Sequence, residues 1–180
     1  MKAIILTVLY ICLIGPTEQK LMTKTGQVSF EASVPSFEEV AAKNNSVTAI
    51  INVETGEFAA LALVNAFRFK NALMEEHFNE NYAESSKFPK ATFKGTINNF
   101  NYNELKSSES QFVLNGQLTF HGVTKDIQNC KVTLLKTENG LNFKGSFKTT
   151  ASAYNIEIPS IVKNKISNDI IVNFMFELVN

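Results

Sequence analysis

Apolar and polar side chains alternate with period two, segment after segment, over most of this chain. Residues 27–34 place Val28, Phe30, Ala32 and Val34 on one face, and residues 46–53 do the same with Val47, Ala49, Ile51 and Val53. Residues 58–64 are apolar on both faces. The alternation returns over 92–97, 111–120, 127–135 and 141–148. It ends over 170–178, where Ile170, Val172, Phe174, Phe176 and Leu178 share a side. Each segment is expected to form a strand with one face toward a core. Turn chemistry separates them: Glu54-Thr55-Gly56 follows the second strand. Asn139-Gly140, whose two residues both tolerate positive φ, lies between the sixth and seventh.

Two stretches break the pattern and read as helix. Ser36-Phe37-Glu38-Glu39 is a capping box, expected to open a short helix that ends near Asn44-Asn45. Residues 71–82 give a longer one: Asn71 suits the N-cap, Glu75 and Glu76 favour its positive end, and Met74, Phe78 and Tyr82 stack at i, i+4. Pro89 prevents its continuation. The expected fold is all-β, an eight-stranded antiparallel closed barrel with one short and one longer helix. Closure removes exposed edges from a strand-rich chain. An eight-stranded interior is just wide enough to fill with side chains or to hold one small ligand. Gly95 and Gly145, in phase with inward Phe residues, point to space left open. Glycines placed at barrel corners or bulges are the alternative.

Composition narrows the partners. At 180 residues the chain suits one domain, and 17 Lys and Arg balance 17 Asp and Glu, so no net field gathers nucleic acid. Arg68 is the sole arginine. Fifteen Phe and no Trp form a large aromatic load without polar tips, suited to an apolar core or cavity.

Residues 1–14, MKAIILTVLYICLI, join one lysine to an apolar run too short to span a bilayer, which needs ~20 residues. They read as a secretory signal over residues 1–17, cut after Thr17, with the barrel domain at 24–180 and a periplasmic or secreted location. Cys12 raises lipoprotein anchoring, but Tyr10 and Ile11 stand where small residues are needed. Cys130 is then the one remaining thiol, expected in a buried strand rather than as a nucleophile.

The stretch LTFHGVTKDI (118–127) gathers His121, Thr124, Lys125 and Asp126 around Gly122. Catalysis would need a Ser or Cys beside an oriented His, and no such elbow surrounds any Ser, so the expectation is a hairpin turn. His77 and Glu80 share a helical face, but bundles that bind metal draw such pairs from two helices at once. No catalytic residue, metal or cofactor is expected.

The order of motifs resembles the YceI-like family of lipid- and polyisoprenoid-binding domains. The resemblance is carried by GQVSFEASVP, by FRFKNALMEEHFNENYAESSKFPKATFKGTI and by LNGQLTFHGVTKDI. It implies a lipocalin-like barrel around an apolar channel, a carrier role in the periplasm or outside the cell, no enzymatic activity, and a homodimer. One departure stands out: many members carry an Arg-x-x-Phe-Gly motif after the seventh strand, where this chain has AYNIEIPSIVKNKIS.

On that basis the expected lining is Phe30, Phe58, Phe67, Phe69, Phe93, Phe112, Phe120, Phe143, Phe147, Phe174 and Phe176, around an isoprenoid or fatty-acid-like lipid. Arg68, Lys70 and His77, where the third strand meets the helix, are the candidates for a charged headgroup; a solvated strand end is the alternative reading of them. A barrel packed solid by the same rings, with no ligand, is the alternative function.

Overall fold

The structure is a computed structural model that describes residues 19–35 and 37–180. The expected signal peptide, its cleavage after Thr17 and Cys12 lie outside the described residues. Nine strands form one antiparallel sheet: β1 (Lys20–Ser33), β2 (Ala41–Asn52), β3 (Glu57–Leu63), β4 (Arg68–Phe69), β5 (Lys90–Ile97), β6 (Ser110–Phe120), β7 (Val123–Lys136), β8 (Gly140–Thr150) and β9 (Ile166–Val179). β4 is only two residues long and pairs with Ala42 and Lys43, resuming beside β2 the place that β3 leaves. Eight full strands therefore make the wall.

The sheet closes because β1 bonds on both edges, to β2 from Lys20↔Asn52 to Glu31↔Ala41, and to β9 from Met22↔Val179 to Ser33↔Ile166. Among the described residues no long strand is left with an open edge, the outcome that strand-rich sequences require. Helix α1 (Ala72–His77) continues through one π-turn (Phe78–Tyr82) and lies at one end of the barrel, between β4 and β5. Asn71 caps it as expected, its Oδ1 accepting the Leu73 amide at 2.9 Å and the Met74 amide at 3.4 Å.

The interior changes character along its length. At the end holding the β2–β3 and β7–β8 turns it is solid. Leu21, Ile51, Ile97, Leu134, Leu141, Phe143 and Leu178 are all buried. Toward the helix end it opens. On β9 the inward series Leu178, Phe176, Phe174, Val172, Ile170 passes from fully buried to half-buried. On β8, Phe143 is 0 % exposed, while Phe147 on the same face is half-buried. Inward-facing apolar side chains stay partly accessible only where nothing packs against them.

Three local expectations are corrected. The capping box at Ser36 opens no helix to Asn45: Ser36 itself lies outside the described residues, and β2 already runs from Ala41. Ala42 and Asn44 are buried within that strand, and Asn44 Nδ2 donates to the Leu63 carbonyl at 3.0 Å. A ladder with neighbours on both sides outweighs a local cap of ~1 kcal/mol. Asn139-Gly140 does end a hairpin, but neither residue takes positive φ. Gly140 is instead required by proximity, because a Cβ there would stand 1.9 Å from the Leu178 carbonyl oxygen. Gly95 and Gly145 leave no empty space either. A Cβ on Gly145 would meet the Phe174 ring at 2.5 Å, and one on Gly95 would meet the Asn115 carbonyl oxygen at 2.4 Å.

The two halves of the interior should respond differently to truncation. Phe143→Ala empties a filled site and should cost about 3–5 kcal/mol of unfolding free energy. Phe147→Ala removes a ring that already borders a void and should cost less than half as much. Chemical denaturation of both variants checks this, and equal losses would contradict a half-hollow barrel.

Candidate functional site

The open half encloses a cavity of about 520 Å³, within the ~300–1,000 Å³ range of small-molecule sites. Its floor is a plug of rings. Phe58 meets Phe143 edge-on at 4.7 Å and Phe176 at 5.5 Å, and Phe174 stacks on Phe176 at 5.7 Å. Aromatic pairs in such offset and edge-on arrangements hold their positions without polar partners. A second cluster stands at the mouth, where Phe78 of the helix touches Phe30 at 5.3 Å and Phe69 at 5.2 Å. The stripe Met74, Phe78, Tyr82 read from the sequence is the face that α1 and its π-turn present to the cavity.

Nine of the eleven expected phenylalanines line this space: Phe30, Phe58, Phe67, Phe69, Phe93, Phe120, Phe147, Phe174 and Phe176. Phe143 does not, because it is locked beneath the floor. Phe112 does not either; it packs with Phe100 at the solid end. Of the three headgroup candidates only His77 lines the cavity. Arg68 turns outward, its Nη1 donating to Glu75 at 3.0 Å and to the Asn65 carbonyl at 2.8 Å. Lys70 is paired with Glu39, and both are exposed. Their charges are used on the outer surface, which supports the solvated strand-end reading for these two.

The far side of the mouth was not legible from periodicity. Tyr154, Ile156, Ile158, Val162 and Lys165 line the cavity from the connection between β8 and β9, the stretch AYNIEIPSIVKNKIS. Two 3₁₀ turns, at Ser152–Tyr154 and Ser160–Val162, aim these residues inward, and such turns leave no regular repeat to read. Lys165 is the one Lys or Arg among the lining residues and forms no ion pair among the described residues. Thr149, Thr150 and Ser167 stand on the same side.

LTFHGVTKDI is a hairpin. His121 and Gly122 take φ of 49° and 74° between β6 and β7, with Phe120 paired to Val123. Positive φ at both central residues is the two-residue turn that matches strand twist. The His121 ring is tied at both nitrogens, Nδ1 donating to the Tyr154 carbonyl at 2.9 Å and Nε2 lying 2.7 Å from Glu84 Oε2. That bond holds the Glu84 carboxyl below the usual carboxylate range, against a smaller opposing effect of burial. His121 thus joins the segment after the helix to the β8–β9 connection, and is a structural clasp at the mouth.

The sequence profile of the YceI-like domain matches residues 19–178. The chain belongs to the YceI-like family. No curated protein matches it in sequence. Its fold is that of a polyisoprenoid-binding domain from Saccharophagus degradans implicated in plant cell wall breakdown, at TM-score 0.76 and 14 % identity over 89 % of this chain and 97 % of that one. Burkholderia cenocepacia BcnA matches at TM-score 0.69 and 16 % identity, over 86 % and 96 %. The Campylobacter jejuni YceI protein matches at TM-score 0.54 and 16 % identity, over 100 % and 99 %. At these identities what is shared is the barrel.

Cys130 of this YceI-like protein gives a probe of the cavity wall. It is buried on β7, lines the cavity, and donates from Sγ to the Ser146 carbonyl at 3.5 Å. Burial pushes its thiol from the ordinary 9.0 up to about 11. The thiolate is the reactive form, so thiol reagents should label the folded protein slowly at neutral pH and fast once it is unfolded. Because the folded-state value is raised, the neutral thiol's contribution to stability is complete below pH ~9 and is lost as pH climbs through ~11. Rapid labelling of the folded protein at neutral pH would contradict this placement.

Proposed function

We propose that this protein is a non-catalytic carrier that holds an isoprenoid or other lipid-like chain, tail first, in the open half of its barrel. The carrying observation is the gradient along β9 and β8, where apolar rings face inward yet remain half-accessible around a cavity of about 520 Å³. A solid barrel has no use for that exposure. Burying a flexible tail there contributes ~25 cal/mol per Å² of apolar surface, without a hydrogen bond. The polyisoprenoid-binding domain with the same fold supports the class of guest.

A charged head would rest at the mouth, beside His77 on the helix side and Lys165 with the Thr149 and Ser167 hydroxyls on the other. The leader-like residues 1–14 support a periplasmic or secreted setting, where a water-insoluble compound needs an escort. The non-catalytic reading is supported by the ties on the nearby groups: the Cys130 thiol in the wall is kept protonated by burial, and His121, in the hairpin outside the lining, is held at both nitrogens.

Displacement of a hydrophobic fluorescent dye by saturated fatty acids of increasing length tests the reading. Affinity should rise about fourfold per added methylene and level off when the cavity is full. Ala60, a small inward residue of β3 that lines the cavity, offers the blocking variant: Ala60→Trp should abolish dye uptake while the protein stays folded. A wild-type protein that takes up no dye, or a variant that binds as well as wild type, would overturn the carrier reading in favour of a packed barrel.

A further inference from the structure

The lumen is blind, and one ring marks where it ends. Along β9 the inward side chains Leu178 and Phe176 are buried, and Phe174 is the first that stays half-accessible. Its ring stands edge-on to Phe143 at 5.5 Å and stacks on Phe176 at 5.7 Å. Phe58 closes the bore beneath, meeting both of those lower rings. To one side Phe174 is paired with Gly145 of β8, where a Cβ would stand 2.5 Å from the end of its ring. The ring thus occupies the space that a side chain at position 145 would fill. Packed rings lie below it and the void lies above.

Above this floor, β9 lines the lumen as far as Ile166. Eight residues at ~3.3 Å each, tilted by ~40° as in other barrels, make a bore of roughly 20 Å. The hydrocarbon core of a bilayer is ~30 Å thick, so a tail that fills one leaflet spans ~15 Å. One tail of that length is buried end to end here, and a much longer chain is not. We propose that Phe174, seated on Gly145, is the stop that sets guest length, and that the guest is a lipid with one tail of ordinary acyl length. The proposal rests on the carrier reading and deepens it, from an apolar chain of any length to one measured against a floor. Each buried methylene adds affinity, whereas one that the floor keeps in water adds none, so a stop makes a greasy bore selective.

Two substitutions move the stop in opposite directions. Phe174→Ala removes the ring and lowers the floor toward Phe143 and Phe176. Gly145→Ala adds a methyl whose nearest neighbours are the Phe174 ring and, at 3.0 Å, a Val132 methyl. The ring borders the void and gives way into it, raising the floor. Displacement of bound dye by saturated fatty acids of increasing length, on the wild type and both variants, reads the position of the stop. Phe174→Ala should move the length at which affinity levels off up by about two methylenes. The acid of that length should bind it about sixteenfold more tightly than it binds the wild type. Gly145→Ala should move the levelling-off point down by about one methylene, with about fourfold weaker binding of the acid that fills the wild-type lumen. Gly145→Ala removes no core atoms, and carries the test alone if loss of the ring unfolds the barrel. One levelling-off length common to all the proteins, or affinities lowered alike at every length, would overturn the stop and leave the carrier standing. No uptake of dye or acid by the wild type overturns both.

Discussion

Closure of the sheet fixes the bore of this protein before any interior side chain is chosen. Once β1 is hydrogen-bonded to β2 on one side and β9 on the other, the diameter follows from eight strands at backbone spacing. The interior must then be filled by the protein or left to something else. At one end aliphatic residues and the Phe143 ring fill it to the density of an ordinary core. At the other end the same alternation continues along β8 and β9 with no side chains opposite to complete it. A six-residue helix and its π-turn lie across that end without plugging it.

The hollow is held open by stiffness. Phenylalanine carries a wide, rigid ring on two rotatable bonds, and rings that brace one another at 5–6 Å resist collapse into the void between them. The polar groups at the mouth are few and come from two sides, the loop and helix on one and the β8–β9 connection on the other. Membership of the YceI-like family supplies the barrel. The far side of the mouth, from Tyr154 to Lys165, comes from the β8–β9 connection.

Much of this was legible in the residues. The alternation Ile170, Val172, Phe174, Phe176, Leu178 names the inward face of β9 correctly, and Met74, Phe78 and Tyr82 name the face that α1 and its π-turn turn to the cavity. Period two cannot show how deep an inward residue sits, so Phe112 and Phe143 were grouped with the lining although they belong to the solid end. Local signals misled where long-range pairing won: the capping box at Ser36 gives way to the β1–β2 ladder, and Gly140 answers to the Leu178 carbonyl rather than to turn geometry. The sequence leaves Arg68 and Lys70 open between headgroup contacts and a solvated strand end, because ion pairing with Glu75 and with Glu39, 31 residues from Lys70, leaves no trace in it. The β8–β9 connection was missed because short 3₁₀ turns carry no periodicity.

Native mass spectrometry of the protein purified gently from its own host addresses the hollow half without assuming the guest. A half-filled barrel that carries a lipid-like chain should show an added mass that organic extraction removes, and the extract should contain a long apolar molecule. A bare chain mass in every preparation, together with no uptake of isoprenoid or fatty acid by the extracted protein, would mean that the lumen is not a binding site.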